Sequence, residues 1–421
     1  SDLRLQKRGA VVGSSLNTAY LLERLSQTLE RLETLMAIFV SNRYLPRRIL
    51  LLTGCFARAA AEKHSITRLW KQSSRLISRS ITQNAGDHGE HYITRDKKEF
   101  WAMFYSAAGG GVLIALMALF KIYLGSIIDD KVWKGVAEGL NYGLGFMVIF
   151  MLHFTVATKQ PAMTAARFAE AVEKTPQGKS VNMKLAQLLV DVFRSQSIAV
   201  LGNVLIAMGL AALIAFCYQY KTGEPLMNAD QIAYQLHSID PFAGTLWFAA
   251  IAGVWLFCSG IISGYFDNRS NYLNMRMRLT QHPLLKKLMS EKSRVKFANY
   301  MHENYGSLIG NLCFGMLLGI TGVVGYLTHL PLDIRHVAFS SANVGYIAVS
   351  GQFTYSLLLQ CIGFVLLIGL VNLIVSFSLT LWVALRSLNA EIESWWPIWH
   401  EVCQIVKKRP LSLFLPVQLD K

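Results

Sequence analysis

The chain of 421 residues is 53% hydrophobic and 16% charged, and its mean hydropathy is +0.35. This balance excludes an ordinary soluble globular domain and predicts an all-α polytopic membrane protein. The net charge of +15 does not by itself indicate nucleic-acid binding, because a basic cytoplasmic face also attracts anionic lipid headgroups. The six cysteines contain no Cys-x-x-Cys pair, which argues against a disulfide framework and a zinc ribbon. We expect no cofactor.

Residues 1–96 are predicted to form a helical cytoplasmic region. Within residues 16–40, apolar side chains recur at spacings of three and four, as in a heptad seam: Leu22, Leu25, Leu29, Leu32, Met36 and Phe39. We favour antiparallel pairing of this helix with residues 45–81 over a contact that forms a homo-oligomer or binds a partner protein. Residues 45–81 are rich in arginine but lack interleaved aromatic residues, so nucleic acid is not an expected partner.

The densest group of potential metal ligands precedes the first predicted span, at Asp87, His88, Glu90 and His91. Carboxylate and imidazole groups both bind divalent metals. The two histidines lie three residues apart with a glycine between them and no third histidine nearby. A capped turn that leads into a helix is therefore favoured over a metal site.

Six stretches are long and apolar enough to cross a bilayer, whose hydrocarbon core of about 30 Å needs roughly 20 helical residues. They are residues 101–124, 140–157, 198–218, 242–266, 307–327 and 357–385. We expect residues 97–386 to form the transmembrane domain and residues 387–421 to form an amphipathic cytoplasmic tail.

A short apolar phrase opens the first, third and fifth of these spans. It begins at Gly110, at Gly202-Asn203 and at Gly310-Asn311. This repetition predicts three helical hairpins arranged as a parallel repeat. A small residue beside an amide lets two helices approach and hydrogen-bond in lipid, so these five residues are predicted to pack helices rather than bind substrate.

The basic residues predict the orientation of the spans, since Lys and Arg are retained on the cytoplasmic side. The N-terminal region carries 17 of them, the second and fourth connections carry six and eight, and the C-terminal tail carries five. The remaining three connections carry very few. Both termini are therefore expected in the cytoplasm, with the basic face against anionic membrane lipids.

Each predicted hairpin is followed by an amphipathic stretch, at residues 165–172, 272–289 and 388–406. The last contains Trp395, Trp396 and Trp399 and is followed by three consecutive basic residues. Tryptophan with basic neighbours is typical of a helix that lies at headgroup depth, so these three residues are predicted to be interfacial.

The connection between the fifth and sixth spans, residues 329–352, differs from the others. It reads Pro331-Leu332-Asp333-Ile334-Arg335-His336 and continues through Asn343 to Tyr346. Together with Gly264-Tyr265-Phe266-Asp267-Asn268-Arg269 and Gly89-Glu90-His91-Tyr92, it resembles the multi-pass bacterial membrane proteins of the site-specific recombinase family. The resemblance covers most of the chain from about residue 32, and it implies a Gram-negative inner-membrane protein.

Residues 333–346 match a tyrosine recombinase site only in part. Asp333-Ile334-Arg335-His336 is similar to an Asp-Leu-Arg-His stretch of tyrosine recombinases, but Tyr346 follows too closely to serve as the nucleophile. The distribution of basic residues also predicts that Arg335 faces away from the cytoplasm. Recombination by these residues is accordingly the least favoured hypothesis.

Residues 338–350 are small, weakly polar and too short to span, so they can re-enter the membrane only if they are buried in protein or line a watery cavity. The leading hypothesis is a non-enzymatic channel, transporter or lipid-handling factor with residues 331–351 near its pathway. Its candidate pathway residues are Asp333, Arg335, His336, Asn343 and Tyr346. The alternatives are a membrane scaffold or assembly factor that acts through the N-terminal helices, and a DNA recombinase.

Overall fold

The computed structural model describes residues 93–94, 96–157, 179–350, 353–388, 392 and 394–415, with single positions between 21 and 54 and between 164 and 172. The candidate metal ligands Asp87, His88, Glu90 and His91 lie outside the described residues. Of the predicted heptad seam, only single helical positions are described, and Leu25, Leu29 and Leu32 are exposed there. The chain divides into two compact units, residues 1–84 with 264–303 and residues 85–263 with 304–421.

All regular structure in the described ranges is helical, which confirms the predicted all-α fold class. The α-helices are α1 (Lys97–Ile127), α2 (Lys131–Met151), α3 (Lys179–Thr222), α4 (Ala229–Ile239), α5 (Thr245–Tyr272), α6 (Met275–Gln281), α7 (Pro283–Leu288), α8 (Glu291–Thr328), α9 (Val337–Ala348), α10 (Tyr355–Leu388) and α11 (Trp396–Lys408). Short 3-10 helices occupy Pro241–Ala243 and Pro410–Leu413.

Among the described residues, five helices are long and apolar enough to cross a membrane: α1, α3, α5, α8 and α10. The predicted second span, residues 140–157, corresponds instead to α2, which begins nine residues earlier and ends at Met151. Asp130 caps α2 by accepting hydrogen bonds from the N–H groups of Val132 and Trp133. This early start brings Lys131, Lys134 and Glu138 into the helix and lowers its hydropathy, so the layout with six spans stays a prediction.

The apolar exposed side chains of α1 fit a helix that faces lipid. Trp101 and Tyr105 are exposed near its start, and Tyr123 is exposed near its end. The 18 to 22 residues between these aromatics correspond to about 27–33 Å of helix, close to the thickness of the hydrocarbon core. Aromatic side chains favour the two membrane–water interfaces, so α1 has the length and the end residues of a span.

Side-chain contacts give the relative directions of α1, α2, α3 and α8. Gly202 and Asn203 of α3 lie beside residues 104–111 of α1 in the same chain order, so α1 and α3 are parallel. Lys121 pairs with Glu138, while Gly125 lies beside Lys134 and Met117 beside Gly145, so α2 runs antiparallel to α1. Since α2 is also antiparallel to α8, the three helices that carry the repeated phrase, α1, α3 and α8, all run in one direction.

Glycines bring the backbones of α2 and α8 into direct contact. Gly139 and Gly143 of α2 face Gly319 and Gly315 of α8, and a Cβ built on either α8 glycine would collide with α2 backbone atoms. Glycines spaced by four residues on both helices allow the two backbones to approach closely. Inside lipid, where no hydrophobic effect draws helices together, the van der Waals packing of such a contact stabilises the pair. This contact joins the first predicted hairpin to α8.

The main hydrophobic core contains residues of α1 to α5, α8 and α9. Its fully buried side chains include Tyr142, Phe146, Leu256, Phe314 and Ile347. A separate core is formed by residues from the first part of α3, the end of α10, α11 and the described positions 165, 168 and 169. α3, whose first part contributes to this second core, has 44 residues and is too long to lie wholly within a bilayer.

Substitution of Gly319 or Gly315 by alanine is expected to destabilise the protein by about 1–3 kcal/mol, the usual cost of overpacking, because backbone atoms of α2 cannot move aside easily. The free energy of unfolding, measured by SDS titration in mild detergent, checks this. Gly363→Ala is the matched control, since no atom outside the adjacent backbone of α10 and the two neighbouring residues lies within 4 Å of a Cβ at Gly363. Equal stability of the Gly319→Ala and Gly363→Ala proteins would contradict the close contact between α2 and α8.

Candidate functional site

The predicted re-entrant connection contains the short helix α9. Its 12 residues extend about 18 Å, which is too short to cross the hydrocarbon core. Ten of the 12 are buried, and α9 packs against α1, α3 and α10. Gly345 lies against the carbonyl of Met208 and the side chain of Ala211, where a larger residue would not fit.

The start of α9 is held by an asparagine of α10. The side-chain oxygen of Asn372 accepts a hydrogen bond from the N–H of Val337 at 3.2 Å. Its side-chain nitrogen donates to the carbonyls of Ala249 at 2.7 Å and Arg335 at 3.0 Å. We call this arrangement the Asn372 clamp. The clamp provides hydrogen-bond partners for the non-helical backbone just before α9, where the side chain of His336 does not cap the helix.

Asn203 of α3 makes an equivalent set of bonds, which we call the Asn203 clamp. Its side-chain oxygen accepts a hydrogen bond from the N–H of Ala157 at 2.8 Å, and its nitrogen donates to the carbonyls of Thr155 at 2.9 Å and Ala107. Both clamps bind the carbonyl of one residue and the N–H two residues later, together with one helix carbonyl. A buried polar backbone that lacks such partners costs free energy, so each amide allows an irregular segment to pack in the bundle.

The other residues of the repeated phrase have different surroundings. Gly110 and Gly202 lie in the contact between α1 and α3, whereas Gly310 of α8 faces Ser259 and Ser263 of α5. The side chain of Asn311 donates to the carbonyl of Ser307 in its own helix at 2.9 Å. The copies of the phrase therefore share a direction but not a common set of contacts.

Arg335 ties the connection before α9 to the α4–α5 region. Its Nε donates to the carbonyl of Ser238 at 2.8 Å, and its Nη1 donates to the Asp333 carboxylate at 2.6 Å and to the carbonyl of Ile334 at 2.8 Å. The guanidinium also lies 5.4 Å from the ring centre of Phe248, within the range of a cation–π contact. These contacts occupy the guanidinium with protein groups.

His336 lies among aromatic rings and is 1% exposed. The ring centres of Phe146, Phe314 and Phe339 are 6.2, 5.7 and 5.9 Å away. Burial lowers the pKa of His336 far below its usual value, so the imidazole is neutral at pH 7. A neutral imidazole enclosed by three rings is not available to a phosphate group in solvent.

Tyr346 lies ten residues after His336, about 15 Å along the axis of α9. Its hydroxyl donates to the carbonyl of Ala115 at 2.8 Å, and the residue is 2% exposed. Asn343 is only half-buried. The structure therefore brings Asp333 and Arg335 into direct contact but does not gather Arg335, His336 and Tyr346 around one point, as strand cleavage would require.

Three polar features were not identified from the sequence as functional positions. Asn372 is one. The ion pair between Lys121 and Glu138, 3.4 Å long, is a second, because the predicted second span excluded Glu138. The third is Arg194, which contacts Asp191 at 2.9 Å and the carbonyls of Thr94 and Ser412. Asn372 and Arg194 bind backbone groups that are remote in sequence, and Lys121 and Glu138 lie on opposite sides of the turn between α1 and α2. Hydropathy alone gave no signal for these contacts.

The predicted interfacial tryptophans lie at the start of α11. Trp395 stacks on Phe168 with ring centres 6.1 Å apart, while Trp396 and Trp399 are 79% and 53% exposed. In the part of the chain that the structure describes, no group of three metal-ligating side chains occurs.

Substitution of Asn203 or Asn372 by alanine is expected to lower the free energy of unfolding by about 2–4 kcal/mol, because each change removes the partner of one carbonyl and one N–H of non-helical backbone. Asn311→Ala is the control. Its loss is expected to be below about 1 kcal/mol, since the Ser307 carbonyl lies within a helix that already supplies a hydrogen bond. SDS titration in detergent measures all three proteins, and similar losses at positions 203 and 311 would contradict the clamp.

Comparison with known proteins gives a family. Residues 3–416 match the model of the family described as site-specific recombinase. No curated protein and no solved structure matches the chain. Because the match extends over nearly all of the sequence, the chain belongs to the site-specific recombinase family.

Proposed function

We propose that this family member is an integral membrane scaffold that presents a folded helical platform on its basic side, and that it does not exchange DNA strands through Arg335, His336 and Tyr346. We further propose an inner-membrane location with both termini in the cytoplasm. The orientation rests on the distribution of basic residues. The platform consists of the first part of α3, the end of α10 and α11.

The second hydrophobic core carries this proposal. The 44 residues of α3 extend about 66 Å, more than twice the hydrocarbon thickness. Lys179, Lys184, Asp191 and Arg194 all lie in its first 16 residues, so this part favours water over lipid. Leu185 of the same part is nevertheless 5% exposed in a shared core. A hydrophobic core formed by a projecting segment supports a folded platform rather than a simple connecting loop.

The exposed side of α11 is the proposed docking face. Ile398 points into the second core and is 1% exposed, whereas Trp396 and Trp399 remain outside it. Tryptophans contribute more than their share of binding energy in protein interfaces. Ile398 shares its core with Leu185, which precedes Ala199 by 14 residues, about 21 Å along α3. Ala199 packs with Met103, near the start of α1. The 21 Å along α3 therefore separates the docking face from that end of the α1 span. This separation favours a protein partner over lipid headgroups at the docking face.

The packing of α9 gives less support to a transport pathway along residues 331–351. A pathway there requires water to reach a helix of which ten residues are buried, and it requires the bond from Tyr346 to the Ala115 carbonyl to break. Strand exchange is also less well supported, because the Arg335 guanidinium is occupied by Asp333 and two carbonyls. A scaffold, the second hypothesis from the sequence, therefore becomes the leading hypothesis, with the platform of α3, α10 and α11 in place of the N-terminal helices to which the sequence assigned it.

The scaffold predicts that a photoreactive phenylalanine analogue in place of Trp396 or Trp399 gives discrete protein adducts in cells, because this face binds a partner. Mass spectrometry of the adducts checks this. The analogue in place of Leu370, which is exposed on α10, is the control and is expected to give lipid adducts. Lipid adducts at Trp399 as at Leu370 would support the interfacial hypothesis instead, and DNA adducts would support a recombinase.

A further inference from the structure

The segment of residues 269–290, which contains α6 and α7, has a distinctive charge. It carries five basic residues and no acidic residue: Arg269, Arg276, Arg278, Lys286 and Lys287. The nearest acidic residues in the chain are Asp267 before it and Glu291 after it. Lys286 donates to the neutral side chain of Gln281 at 2.6 Å, a contact that supplies no opposite charge. The segment is therefore strongly cationic.

The same segment exposes apolar side chains. Every residue of α6 and α7 is described, and none is buried. Met277, Leu284 and Leu288 are 63%, 61% and 80% exposed. Long apolar side chains interspersed with Lys and Arg are the composition of a helix that lies in a membrane interface. The charge and the exposed apolar groups thus point to the same kind of surface.

The segment directly follows a helix that is suited to cross a membrane. α5 is one of the five helices suited to span a membrane, and it ends at Tyr272. Asn274 has a left-handed backbone with φ of +48°, which breaks the helix before α6 begins at Met275. Trp247 and Tyr272 are exposed near the two ends of α5, and the 25 residues between them extend about 38 Å. The cationic segment therefore begins at the end of a helix, α5, that is long enough to cross the hydrocarbon core.

We propose that residues 269–290 form a binding element for anionic phospholipid headgroups in the leaflet that contains the end of α5. Arg and Lys attract the phosphates, while Met277, Leu284 and Leu288 insert between the headgroups. Charge complementarity selects this occupant, because a segment with five cations and no acid gains more from an anionic bilayer than from a neutral one. The proposal does not depend on the scaffold function.

The test uses the full chain with its native cysteines replaced by alanine, and a nitroxide label at Met277→Cys or Leu284→Cys. The protein is placed in nanodiscs of phosphatidylcholine, with or without phosphatidylglycerol. Electron paramagnetic resonance then measures the accessibility of the label to oxygen and to a water-soluble nickel complex. We expect phosphatidylglycerol to raise the ratio of oxygen to nickel accessibility, and about 1 M salt, where the Debye length is about 3 Å, to reverse the rise.

A quadruple variant, Arg276→Gln, Arg278→Gln, Lys286→Gln and Lys287→Gln, is expected to lose the rise. Lys407→Gln, Lys408→Gln and Arg409→Gln, near the other end of the chain, are expected to keep it and serve as the control. The salt reversal uses unaltered basic residues, so it remains informative if the quadruple variant folds poorly. Equal ratios in the two kinds of nanodisc would overturn the proposal, as would a label shielded from both reagents, which would indicate a protein contact.

Discussion

The bundle depends on the hydrogen bonding of backbone that is not helical. Lipid supplies no partner for a free N–H or carbonyl, so an irregular segment can enter a membrane domain only where protein groups satisfy it. Asn203 and Asn372 each do this with one amide that binds a carbonyl, the N–H two residues later and a carbonyl of a helix. One clamp lets the chain leave α2 and pack between α1 and α3, and the other sets the start of α9.

The second clamp also explains why the most distinctive stretch of the sequence is placed in the protein interior. With Val337 fixed by Asn372, α9 packs along α3, and Gly345 permits the close approach. His336 then faces three phenylalanine rings, and Tyr346 reaches a carbonyl of α1. Residues that resemble part of a recombinase site thus have structural partners here, and the proposals above rest instead on two exposed surfaces, the tryptophans of α11 and the cationic segment after α5.

Much of the architecture could be predicted from composition. Hydropathy identified the five helices long enough to span, because burial of apolar side chains in lipid depends mainly on their number and continuity. The small residues 338–350 indicated a segment that does not span. Hydropathy did not predict where α2 begins and ends, because the Asp130 cap and the pair Lys121–Glu138 keep charged residues in this helix. It was also silent on Asn372 and Arg194, since the backbone groups to which they donate or from which they accept lie 35 or more residues away in the chain.

The central claim is that the region around α9 is sealed from water and that the protein acts through its outer surfaces. The most direct test is the reactivity of Ser341→Cys in a cysteine-free chain toward a water-soluble thiol reagent in native membranes. Ser341 is fully buried on α9, and Tyr220 at the end of α3 is 87% exposed and provides the control as Tyr220→Cys. The account predicts labelling at position 220 and none at position 341, whereas labelling at both positions would contradict it and indicate a water-filled pathway.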